Sequence, residues 1–401
     1  MKILYIAYSC NPYAGSEDKI GWNIPYAASK CHEVWVITKE EQREPVERFL
    51  RENPTENLRF SFVDIPGYCK KLFKGFLYSG RLNAWHKRAY PVAKQICSEN
   101  GIDVIHQITP IEFRAIGPYK KIKNVKFICG PLGGGEYIPK GLRSYAKGHM
   151  AIERIRAAMN VVAKWKLALN SRLKKCDAVM YANYETKNYL KRVAGKNADG
   201  KVVTEIGVSP EDLIKRSERQ KKDKIVFLSA GRLVYRKGYD FLLDALEQLP
   251  EDAKYELRIV GGGQDYEHLN QRIAASPKLK RHVILTGKIP FTEMQKEYLA
   301  ADVFVMPSIR ETGGAVISEA FSYGLPVITS KHFGGAVIVN EQTGWLYDGK
   351  TKDEFVDRLA CMLIGCISDP VETARRGKTA AISAEQYLWD HKTDAYNLLI
   401  R

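Results

Sequence analysis

Short apolar runs alternate along the chain with longer stretches in which apolar positions recur at three- and four-residue spacing. In the N-terminal half, the runs Lys2–Ala7, Glu33–Thr38, Leu58–Val63, Val104–His106, Lys126–Cys129, Ala178–Ala182 and Lys201–Glu205 predict strands. The C-terminal half adds Ile225–Ala230, Tyr255–Val260, His282–Thr286, Val303–Pro307 and Val327–Thr329. Helical patterns lie between them, for example Tyr239–Gln248, Thr292–Ala300 and Ala315–Tyr323. Such alternation predicts an α/β protein with parallel sheets covered by helices on both faces. The pattern lapses once, over Ser209–Lys224, which is polar and charged with no core periodicity. That lapse divides the chain into Rossmann-like domains at 1–210 and 225–380, joined by a linker at 211–224. Two doubly wound domains would place a ligand in a deep cleft between them.

Length and composition agree with this division. The 401 residues are 45% hydrophobic, enough for more than one core. No apolar run approaches the length of a membrane-spanning helix. Met1–Tyr8 reads as a first strand rather than a signal peptide, so a cytoplasmic location is expected. None of the eight cysteines has CxxC spacing, which argues against zinc or a disulfide framework.

The net charge of +16 is unevenly placed. Ile65–Ser98 holds seven Lys/Arg and no acid, with Phe73, Tyr78, Trp85 and Tyr90 among them. Lys140–Lys175 holds ten Lys/Arg against the single acid Glu153. Cations interleaved with aromatics suit an anionic lipid surface or nucleic acid, or are simply a solvated face.

The chemistry concentrates in the C-terminal half. Arg310–Glu319 sets two glutamates eight positions apart around Gly313-Gly314, after one strand and at the start of a helix. A strand, a glycine loop and a helix N-terminus suit an anionic ligand. The two carboxylates suit hydroxyl groups, so a nucleotide-sugar fits both. On one helix they would stand roughly 80° apart and about 12 Å along the axis, too far to flank one glycosidic bond. Upstream, Gly231-Arg232 and Lys237-Gly238 place two cations after a strand. They form either a diphosphate grip or two solvated loop cations. Gly261-Gly262-Gly263 fails as a dinucleotide fingerprint because Tyr266 occupies the third glycine position, which argues against a dehydrogenase. Gly287 ends another strand, where backbone near Ile289 could hold a base.

The ordered set Gly-Arg-x4-Lys-Gly, Val-Gly-Gly-Gly, Thr-Gly and Pro-Ser-x2-Glu-x7-Glu-Ala-x3-Gly-x-Pro-Val-Ile resembles the retaining GT-B glycosyltransferases of family 4, the glycosyl transferases group 1. The N-terminal Pro12-Tyr13-Ala14-Gly15-Ser16-Glu17 loop and Cys129–Glu136 resemble a subset of that family. The resemblance implies that Arg232 and Lys237 bind the donor diphosphate, Glu319 the ribose and Glu311 the donor sugar. Backbone at Gly231, Gly261, Gly287, Gly313, Gly314, Ala315 and Val316 would approach the ligand. His106 would face the reacting sugar, and the Gly15 loop would close over the phosphates. It also implies that a helix within 381–401 returns to the N-terminal domain, and that no metal or other cofactor is needed. The expected partners are a nucleotide-sugar donor, a glycan or lipid-diphosphate-linked acceptor, and an anionic membrane met by the basic N-terminal domain, without nucleic acid. A nucleic-acid-binding protein or a nucleotide-sugar hydrolase or epimerase of the same fold are the alternatives.

Overall fold

The structure, a computed structural model, describes residues 1–15, 17–72, 75–213 and 223–397. It divides into two compact units. The first comprises Met1–Gly135, Arg154–Gly207 and Trp389–Arg401, and the second comprises Glu136–Glu153 and Val208–Leu388.

The first unit is built on six parallel strands: β1 (Lys2–Ala7), β2 (Glu33–Lys39), β3 (Leu58–Val63), β4 (Val104–Thr109), β5 (Lys126–Leu132) and β6 (Ala178–Tyr181). Their order is β3-β2-β1-β4-β5-β6. Strand β1 therefore lies between β2 and β4, and the order reverses beside it. Its residues Ile3–Ala7 are wholly buried, as a strand covered on both faces must be. The second unit repeats the plan with β7 (Ile225–Ala230), β8 (Tyr255–Val260), β9 (Val283–Gly287), β10 (Val303–Met306), β11 (Val327–Ser330) and β12 (Gly344–Tyr347). Its order is β12-β11-β10-β7-β8-β9, with the reversal between β7 and β10.

Several expectations change. Lys201–Glu205 is not a strand: only Val202 bridges to Tyr181, and the Thr204 carbonyl is taken by Lys392 Nζ and by Tyr396 Oη at 3.3 Å. Strand β12, Gly344–Tyr347, was not among the expected strands. Residues 136–153, counted in the N-terminal domain from sequence, group with the second unit. Leu142 and Ala146 are wholly buried in that unit's core, and Tyr145 donates to Asp244. Of the expected linker, 214–222 lie outside the described residues. The C-terminal helix runs Trp389–Asn397 and packs in the first unit against helix Glu17–Ser29; residues 398–401 lie outside the described residues.

Candidate active site

In an open parallel sheet, ligands bind beyond the carboxyl ends of the strands where strand order reverses. In the second unit that point is the gap between β7 and β10, and the loops leaving both strands carry the charged residues singled out above.

The loop after β7 runs through Gly231, exposed Arg232 and a short turn, Tyr235–Lys237, to Gly238 and helix Tyr239–Glu247. The loop after β10 runs through Ser308 and Glu311 to Gly314 and helix Ala315–Ser322. Backbone ties them: the Ile309 amide donates to the Arg236 carbonyl at 2.9 Å. Loops after neighbouring strands join the same edge, with Gly231 N–H on the Val260 carbonyl and Gly261 N–H on the Gly287 carbonyl, both at 2.9 Å. Gly261 permits this because a Cβ there would sit 1.8 Å from the Gly231 carbonyl oxygen, at a φ of +149°. Gly314 caps its helix at φ +93°, a conformation glycine adopts without strain. Beyond it the Ile317 amide turns back to the Gly314 carbonyl at 2.9 Å, and the Ala315 and Val316 amides stand at the helix's positive end.

Across this gap, Lys237 donates to Glu311 Oε2, and Arg236 stands 3.6 Å from the same oxygen. Burial pushes the Glu311 carboxyl up, but the charges of Lys237 and Arg236 outweigh it and hold it below the usual carboxylate range. Glu311 is therefore a partly buried anion compensated by two cations. Glu319 is exposed on its helix, and its Oε2 accepts from Tyr298 Oη at 3.0 Å. Tyr298 is buried, stacked on Tyr323 at 4.8 Å, and its hydroxyl is pushed up by burial and then by the Glu319 charge. Glu311 and Glu319 thus have separate anchors and separate environments.

The structure brings Gly231, Arg232, Lys237, Gly261, Gly287, Ile289, Glu311, Gly313, Gly314, Ala315, Val316 and Glu319 to the loops and helix start at one edge of the second sheet. Gly15 is exposed in the β1 loop of the first unit, beside Ser16, which lies outside the described residues. His106 departs from its expected role. It is wholly buried in β4, its ring 5.5 Å from Tyr5 and 5.7 Å from Tyr396, with Nε2–H on the Gly130 carbonyl at 2.8 Å. Burial pushes its pKa down to about 4, so the ring is neutral. A ring enclosed by two tyrosines presents no face to a substrate, and the structure makes it a core histidine.

Sequence reasoning missed three contributors. Arg236 stands beside Glu311, whereas only its neighbours in the motif were noticed. Tyr298 lies in an ordinary helical pattern and gives no signal. Glu153, the lone acid of a basic run, did give one: its Oε1 accepts from Arg310 Nη2 at 3.0 Å and Tyr235 Oη at 2.6 Å, fixing both site loops. Among the described residues, no group of three or more His, Cys, Asp or Glu is placed to hold a metal ion. A recess of about 920 Å³ lined by Ile225, Lys254, Ile364 and Val371 opens at the strands' amino ends and contains none of these site residues.

Comparison with known proteins bears on the same region. Residues 210–379 match the family model described as glycosyl transferases group 1. A GDP-mannose-dependent alpha-(1-6)-phosphatidylinositol monomannoside mannosyltransferase of Mycolicibacterium smegmatis is 36% identical over 168 residues, which are 39% of this chain and 42% of that protein. The chain thus spans less than half the length of that relative. Among solved structures, Anabaena Alr3699/HepE in complex with UDP superposes with a TM-score of 0.61 at 19% identity, covering 99% of both chains. The lipopolysaccharide outer core galactosyltransferase WaaB gives 0.67 at 19% identity, covering 100% of this chain and 99% of its own. Residues 210–379 are thus similar to the glycosyl transferases group 1, and the chain has the two-sheet GT-B fold of these solved structures.

Proposed function

We propose that the protein is a retaining glycosyltransferase that moves a sugar from a UDP- or GDP-linked donor to a glycan or lipid-linked acceptor. The observation that carries this reading is the Glu311 carboxylate held by Lys237 and Arg236 beside a helix N-terminus, at the reversal point of the second sheet.

The donor diphosphate lies against Arg232, Lys237 and the first-turn amides of helix Ala315–Ser322. Glu311 accepts from sugar hydroxyls, Glu319 from the ribose, and backbone at Gly261, Gly287 and Ile289 borders the base. As the bond between the anomeric carbon and the diphosphate oxygen breaks, negative charge grows on the diphosphate, where the cations and amides offset it. The acceptor oxygen bonds to the same carbon from the same face, and its proton passes to the departing phosphate oxygen. No protein nucleophile and no metal take part. Two comparisons support the donor class: a relative named for GDP-mannose and a fold neighbour solved with UDP. The acceptor side follows from family resemblance, which points to bacterial surface polysaccharide assembly at the cytoplasmic face of a membrane contacted by the basic first unit.

A thermal-shift panel of UDP-, GDP- and ADP-sugars tests the reading. A rise in Tm with one nucleotide class is expected, followed by transfer that requires an acceptor. No shift with any donor would overturn it, and acceptor-independent turnover would reassign the chain as a hydrolase or epimerase.

A further inference from the structure

Helix Met150–Asn170 is fixed to the first unit by one side only. Asn160 Nδ2 and Arg156 Nη2 donate to the Gly134 carbonyl at 2.9 and 2.8 Å, and Leu167 is buried in the core. The opposite side is apolar and faces solvent. Ile155, Ala158, Val162, Trp165 and Leu169 follow one another at spacings of three, four, three and four, which puts them in one stripe. Ile155 is 47% exposed, Val162 54%, Trp165 68% and Leu169 82%. A contiguous apolar face on a helix surface marks a contact with something less polar than water.

The charges beside the stripe indicate what covers it. From Arg154 to Lys175 the chain has seven Lys/Arg and no Asp or Glu. Arg154, Lys166, Lys174 and Lys175 are exposed, and none is in an ion pair with a described residue. Three-four spacing also suits a coiled-coil seam. A second copy of this helix, however, would bring cations against cations with no acid at the flanking positions. An anionic lipid surface complements both features, because it solvates the apolar residues and attracts the flanking Lys and Arg heads.

We propose that the Ile155–Leu169 face of this helix is the surface by which the protein lies on an anionic bilayer. This rests on the peripheral-membrane part of the function proposed above and names the residues that carry it. The stripe reaches the acyl boundary while Arg154, Lys166, Lys174 and Lys175 remain at headgroup level. Tyr68 and Leu72, 69% and 62% exposed beside Lys70 and Lys71, form a second apolar and basic patch of the first unit and serve as an internal control.

Co-sedimentation of the full chain with vesicles of phosphatidylcholine containing about one-third phosphatidylglycerol tests the assignment. Wild type should bind at low salt, and binding should weaken at high salt or with phosphatidylcholine alone. Trp165→Glu/Leu169→Glu should bind at least about tenfold more weakly, with unchanged circular dichroism and Tm, because both side chains are already in water. Tyr68→Glu/Leu72→Glu should retain most binding. No binding by wild type would overturn the membrane reading altogether. Binding by wild type that survives Trp165→Glu/Leu169→Glu, or is lost only in Tyr68→Glu/Leu72→Glu, would overturn the assignment to this helix. A wild-type dimer in sedimentation analysis that becomes monomeric in Trp165→Glu/Leu169→Glu would give the face to a second copy instead.

Discussion

Replacing Lys237 by methionine separates two roles that its position allows. Its ammonium pairs with Glu311, and both side chains are largely shielded, 16% and 14% exposed. Removing one partner of a buried pair ordinarily costs roughly 3–5 kcal/mol, because the other charge is left uncompensated. Here Arg236 remains 3.6 Å from the same carboxylate oxygen, so Glu311 keeps a counterion. The stability loss should therefore be smaller, about 1–2 kcal/mol. The catalytic loss should exceed it. A positioned charge donor acting on the departing diphosphate is worth about 10²–10³ in turnover, or roughly 2.7–4.1 kcal/mol. Initial rates with the nucleotide-sugar that raises Tm, alongside thermal denaturation, measure both. The control is Lys237→Met/Glu311→Gln, which removes the carboxylate that would otherwise need a partner. If Lys237 acts on the donor, the double variant is at least as slow as Lys237→Met. Transfer by Lys237→Met within about threefold of wild type, or recovery of its rate on adding Glu311→Gln, would refute the diphosphate role.

Other expectations follow from the same geometry. His106→Ala should cost roughly 2–4 kcal/mol of stability by emptying a core site while the folded enzyme keeps its kcat; a kcat loss of about 10² at unchanged Tm would return His106 to the reaction. Tyr298→Phe frees the Glu319 carboxylate from one hydrogen bond and should raise the donor KM roughly two- to tenfold with kcat unchanged, and an unchanged KM would detach Glu319 from the donor. Gly261→Ala should cost at least about 2 kcal/mol through its clash with the Gly231 carbonyl, whereas Gly15→Ala, which meets nothing within 4 Å, should change stability by less than about 0.5 kcal/mol; equal Tm values would refute the close approach. Glu17 gives a pH dependence. Burial, then the charges of Glu112 and Asp18, push its carboxyl up to about 7 against the opposing effect of a hydrogen bond from the Ile111 amide. The folded state thus binds a proton that the unfolded chain has released above about pH 4.3, and stability falls as pH rises from there through 7. Glu17→Gln escapes this loss, so its Tm should gain on wild type across that window, and parallel Tm curves would contradict it.

Elements and chemistry were not equally legible in the sequence. Ten- to thirteen-residue helices and largely buried strands such as β1 and β7 announce themselves, because continuous apolar runs have few other uses in a parallel sheet. Glycine loops and the two glutamates were legible for the same kind of reason: close backbone approach and a helix N-terminus restrict which residues can stand there. Partnerships formed by folding were not. Nothing in the motif around Lys237 separates Arg232, which faces solvent, from Arg236, which reaches Glu311. His106 occurs in a motif-like position, yet its β4 register points it between Tyr5 and Tyr396, one aromatic supplied by a neighbouring strand and the other by the last helix. The grouping of 136–153 with the second unit depends on Leu142 and Ala146 joining that unit's core and on Glu153 finding partners 82 and 157 residues away, which no local pattern reports.

Hydrogen–deuterium exchange of the full chain, with and without the nucleotide-sugar that raises Tm, tests the location of the donor site most directly. The account predicts protection at Gly231–Gly238, Gly261–Gly263, Gly287–Ile289 and Gly313–Glu319, the loops and helix start at the carboxyl edge of the second sheet. Saturating donor that leaves all four segments unchanged, with protection confined to the first unit, would contradict it.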